Sequence, residues 1–136
     1  MWKIMLFLLF LAAHLNLTAL VPLLPKDPPP PWWVGGMLFW PFAVETRTLL
    51  HGETLNILTP ILAITTALLF LMAAGALLRK LVPGEWFSGL IVAGAVLSIA
   101  LQVIWLSGWA IFPILVDILL LWAVFGGQLT VRSLRG

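Results

Sequence analysis

The chain contains no cysteine, and only 9% of its residues are charged. The first absence excludes a disulfide framework, a thiolate metal centre and a cysteine nucleophile. The second excludes a soluble globular domain, in which about a quarter of residues carry charge. There is also no glycine-rich phosphate loop, no histidine pair at metal-ligand spacing and no Ser-His-Asp arrangement with motif support. The expectation is therefore a protein that is not an enzyme. A net charge of +2 and a pI near 9.7 do not signal a nucleic-acid partner, because the seven basic residues are dispersed and no run exceeds Arg79-Lys80.

In place of charge there is apolar surface. Hydrophobic residues make up 62% of the 136, and the mean hydropathy is +1.15. A soluble chain this short has too little interior to hide them, so a lipid bilayer is the expected surrounding.

A membrane-crossing helix needs roughly 20 predominantly apolar residues. Residues 4–24 and 57–78 carry no formal charge, and each predicts a span. Met1-Trp2-Lys3 followed by Leu11-Ala12-Ala13 is also the pattern of a short leader, but the apolar run continues to Leu24, longer than a leader's core. The charge-free stretch 86–116, with 118–131 beyond it, is too long for one crossing and is expected to fold back at Ser107-Gly108-Trp109, with Pro113 in the first turn of the next helix. This gives spans over 86–106 and 110–129. Pro83-Gly84, a helix-stopping pair, is expected to make the hairpin between the second and third spans tight, with Glu85 at the start of the next helix. The sequence thus predicts one all-α membrane domain over 1–136, an integral four-helix bundle. Lys3, Arg79, Lys80, Arg132 and Arg135 fall on one side of it and Lys26 and Arg47 on the other. The positive-inside rule then places both termini in the cytoplasm and the protein in the cell membrane.

The outer segment 25–56 is long for a loop and is not polar. Pro28-Pro29-Pro30-Pro31 forms a stiff spacer, and Trp32, Trp33, Phe39, Trp40 and Phe42 follow as anchors at headgroup level or as a docking surface. After Pro41, a short interfacial helix is expected over 42–50, stopped by Gly52. His51 reads as a solvated surface residue.

Inside the spans, ionisable groups are costly enough to be functional candidates. His14 lies about 15 Å and Asp117 about 10 Å below the outer helix ends at 1.5 Å per residue. Asn16, Thr18, Thr65, Thr66, Ser98 and Gln102 lie at similar or shallower depths, and Gly94, Ser98, Gln102 and Trp105 form one helical stripe. Asp117 is expected to pair with His14 or Gln102. The cluster of His14, Thr18, Ser98, Gln102 and Asp117 has three readings: contacts that hold helices together, an outward-facing pocket for a quinone, a lipid headgroup or a proton, or an axial ligand at His14 for haem or chlorophyll. No cofactor or metal is required by the sequence.

Ser98, Gln102, Trp105, Gly108 and Asp117 together resemble the pattern of small bacterial four-helix membrane proteins, with a Ser/Thr-Gln pair on the third helix, a Trp and Gly near the turn and a polar residue early in the fourth. More loosely, the architecture is similar to the DoxX-like proteins. The resemblance covers about 57–129 and implies architecture only. Two features depart from it: the long aromatic outer segment, and the spacing of Ser98 and Gln102 four apart rather than adjacent. The leading functional expectation is a non-catalytic accessory or scaffold subunit packed against a larger membrane complex, respiratory or photosynthetic. A small quinone- or cofactor-binding redox protein and a minimal oligomeric proton-coupled transporter, both using Asp117, stand as alternatives.

Overall fold

The computed structural model describes residues 1–23, 47–49, 52–106 and 111–136. The aromatic residues of the outer segment, His51 and the expected break at 107–109 lie outside the described residues. Five α-helices are present among those described: α1 Trp2–Leu17, α2 Glu53–Leu77, α3 Phe87–Ile104, α4 Ile111–Phe125 and α5 Val131–Arg135. Three stretches are long and apolar enough to cross a membrane: Trp2–Leu20, Glu53–Leu77 and Gly84–Ile104. The apolar helix α4 is described over 15 residues.

Many of the buried positions on the long helices are small. Ala12, Ala13, Ala63, Ala67, Ala73, Ala74, Ala76 and Ala95 face inward, while Phe7, Phe10, Ile57, Ile61, Ile64, Leu68, Val96, Leu115, Ile118 and Leu119 face out. Small residues inside let helix backbones approach closely, the arrangement that membrane helices use in the absence of a hydrophobic drive between them. α1 packs on α2, α2 on α3 and α3 on α4, and α4 makes a lighter contact with α1. The tightest approach is between α2 and α3, where a Cβ added to Gly94 would stand 2.9 Å from the Phe70 ring.

Span one turns from α-helix to a 3-10 helix over Thr18–Leu23. Pro22 has no N–H to continue the α-helical ladder there. α2 contains Pro60 yet runs unbroken, as helices in apolar surroundings do when neighbouring groups reabsorb the freed carbonyl.

Four features stand out, the first and the last against expectation. The helix expected over 42–50 does not include Arg47 and Thr48, which form a two-residue strand, β1, paired antiparallel with β2, Trp105–Leu106. The N–H of Leu49 donates to the carbonyl of Ile104 at 2.9 Å, satisfying a carbonyl that the end of α3 leaves open. Second, α2 ends at Leu77, well before Pro83. Arg79 adopts the left-handed conformation (φ 56), its N–H bonds the carbonyl of Ala76 at 3.0 Å and that of Lys80 bonds the carbonyl of Gly75 at 2.9 Å, the paired bonds of a Schellman cap. Third, the turn bearing Glu85 is a 3-10 helix, Gly84–Trp86, from which α3 begins at Phe87. Fourth, the last span does not reach 129. α4 stops before Gly126-Gly127, Gln128 turns left-handed (φ 47), and α5 follows.

α5 is fastened at both ends. Thr130 Oγ1 accepts from the N–H of Ser133 at 3.1 Å and Ser133 Oγ accepts from the N–H of Thr130 at 2.8 Å, a reciprocal capping box. Val131 and Leu134 join the core, Val131 against Gly84, and the Arg135 guanidinium lies 4.7 Å from the centre of the Trp2 ring, a cation–π distance. These contacts bring the start of α1, the 79–86 turn and α5 to one end, so Lys3, Arg79, Lys80, Arg132 and Arg135 gather there.

Gly94→Ala is expected to force the Phe70 ring aside and destabilise the fold by about 1–3 kcal/mol, read as an earlier midpoint in reversible SDS unfolding. An unchanged midpoint would show that the α2–α3 contact is looser than described.

Candidate functional site

The polar side chains of the core converge on α3. Ser98, Gln102 and Trp105 are buried, and each bonds a different neighbouring helix. Ser98 Oγ donates to Asp117 Oδ2 on α4 at 2.5 Å, Gln102 Nε2 donates to Asn16 Oδ1 on α1 at 3.5 Å, and the Trp105 indole N–H donates to Thr59 Oγ1 on α2 at 2.8 Å. The stripe of small and polar residues along α3 is thus its bonding face, and α3 is the hub to which the other helices are tied.

The bonds form layers by depth. Trp105–Thr59 sits at the rim where α3 gives way to β2, with Ala63 and Leu101 buried beneath it. Gln102–Asn16 comes next, and Asn16 Nδ2 also donates to the Ala12 carbonyl at 2.8 Å. Ser98–Asp117 is deepest, six residues, or about 9 Å, inside the Ile104 end of α3. Below it Phe70, Phe87, Leu9, Ile91 and Leu120 form a fully apolar core.

Asp117 is therefore bonded to Ser98, where Gln102 or His14 was expected. Ser98 and Asp117 lie on two helices that pack on each other, and their bond places them opposite one another. Gln102 lies closer to the rim and reaches α1 instead. Thr18 Oγ1 donates to the carbonyl of Leu15 at 2.5 Å, a bond within its own helix end, and His14 is half-buried on α1. The proposed cluster is thus divided: Ser98 meets Asp117, Gln102 meets Asn16, and Thr18 acts locally. Thr59 was not among the expected residues, although its place near the start of α2 matches that of Trp105 at the end of α3. Trp32, Trp33, Phe39, Trp40 and Phe42 are outside the described residues.

Among the described residues, two buried side-chain polar atoms take no hydrogen bond: Asp117 Oδ1 and Thr66 Oγ1. Neither residue has measurable exposure (0% for each). Among the described residues no group of three or more His, Asp or Glu stands close enough to hold a metal ion. Chemically, then, the site offers interhelical hydrogen bonds and one open carboxyl oxygen. Compared with family models, curated proteins and solved structures, the chain matches none of them.

Ser98→Ala is expected to destabilise the protein by about 1–3 kcal/mol, because Asp117 Oδ2 then loses its hydrogen-bond donor. The double variant Ser98→Ala/Asp117→Leu removes the polar pair together and is expected to recover most of that loss. SDS unfolding of the three proteins measures both effects, and a double variant no better than Ser98→Ala would contradict the assignment.

Proposed function

We propose that the chain is a non-catalytic integral membrane subunit of four spans, with both termini cytoplasmic, that packs against other integral membrane subunits of a larger complex. The observation that carries this reading is the commitment of the polar side chains: Ser98, Gln102, Asp117, Asn16, Thr59 and Trp105 are all buried and bonded between helices. The groups from which an outward-opening pocket would be built are the ones that hold the helices together.

The exterior supports the same reading. On α4, Ile111, Phe112, Leu115, Ile118, Leu119, Trp122 and Phe125 are all exposed. Trp86 and Trp122 are exposed near the basic end, and Trp2 lies beside Lys3 and Arg135. Indoles next to a cluster of basic residues suit the cytoplasmic headgroup level.

Purification from native membranes in mild detergent is expected to yield the chain together with larger membrane proteins in fixed proportion. Recovery as a monodisperse free monomer would overturn the proposal.

A further inference from the structure

The two unpartnered atoms are not scattered. α2 and α3 run antiparallel, and two contacts set their register: Trp105 bonds Thr59, and Gly94 abuts Phe70. Thr59 to Phe70 and Trp105 to Gly94 are the same number of residues. Thr66, four before Phe70, therefore lies level with Ser98, four after Gly94. Ser98 is bonded to Asp117, so Thr66 on α2, Ser98 on α3 and Asp117 on α4 occupy one depth. On α1 the Gln102–Asn16 bond sets a parallel register that brings Ala12, four residues inward of Asn16, to the level of Ser98. The fourth helix thus contributes a small side chain to this layer.

We propose that Thr66, Ser98 and Asp117 form a buried binding site for a single water molecule, held between Asp117 Oδ1 and Thr66 Oγ1. A burial layer that contains a carboxyl oxygen and a hydroxyl, both fully enclosed and neither bonded within the protein, matches the needs of a buried water, which makes two to four hydrogen bonds to otherwise unsatisfied groups. The water donates one hydrogen to Asp117 Oδ1 and accepts the Thr66 hydroxyl hydrogen, while Ser98 continues to donate to Oδ2. Every polar atom of the layer is then used. A hard divalent cation suits the layer poorly, since such ions take six or more oxygen ligands and the three side chains supply too few. The bridge links α2 to α4 across the structure, so a hydrogen-bonded row crosses three helices at one depth.

Thr66→Val tests the proposal by the sign of its effect, because valine keeps the shape and removes only the hydroxyl. With the bridging water, the substitution raises the unfolding constant in SDS roughly five- to tenfold. An unbridged hydroxyl gives the opposite outcome: its removal leaves stability equal or improved, which would overturn the site. In an Asp117→Leu background the cost of Thr66→Val is expected to vanish, and a cost that persists at full size would place the partner of Thr66 elsewhere and refute the bridge. A second measurement stands apart from the folding of that background. In bilayer samples of the full chain, NMR magnetisation transfer from a long-lived water to the Thr66 methyl supports the site, and its absence contradicts it.

Discussion

A polar side chain surrounded by hydrocarbon finds its partner inside the protein or goes without one, and the arrangement of this chain follows from that constraint. α3 meets it by presenting Ser98, Gln102 and Trp105 along one face, each to a different helix. Such bonds contribute about a kcal/mol or less apiece, so their importance lies less in total energy than in direction. An apolar contact tolerates sliding and rotation, whereas a hydroxyl that reaches a carboxylate at one depth does not. The alanines and Gly94 on the inner faces supply the close approach within which those bonds form.

Five of the seven basic residues belong to one end of the molecule. At the basic end the helices are closed by backbone devices: the Schellman cap at Arg79, the 3-10 turn at Gly84–Trp86 and the capping box at Thr130. α5 lies across this end with Val131 and Leu134 inward and Arg132 and Arg135 outward, so it seals the core while keeping its cations at the surface. At the other end the closure is a side-chain bond, Trp105 to Thr59, beside the short strand pair that receives the end of α3.

Gaps between charged residues revealed where the apolar helices lie, since a charge inside hydrocarbon is costly whatever the fold. The second span, expected over 57–78, corresponds to Glu53–Leu77, and the third, expected over 86–106, contains Phe87–Ile104. The stripe on α3 was legible for the same kind of reason, because helical period is a property of the chain itself. The partner of each stripe residue was not, because partners depend on the depth at which two helices meet, and Gln102 lies one turn too near the rim to reach Asp117. The early end of α4 was missed through reading apolar content past Gly126-Gly127, where backbone freedom outweighs hydropathy. The strand at Arg47–Thr48 depends on the open carbonyl of Ile104, far away in sequence, and no local pattern around residue 47 announces it.

The central claim is that the apolar exterior lies in a bilayer, with the basic end on the cytoplasmic side. The absence of cysteine makes this directly testable, because any introduced thiol is the only one. Single variants Glu53→Cys and Ser133→Cys, both at exposed positions, would be treated in intact cells with a membrane-impermeant maleimide. The account predicts that Glu53→Cys is labelled from outside and that Ser133→Cys is labelled only after the membrane is opened. Labelling of Ser133→Cys in intact cells, or equal labelling of both, would contradict it.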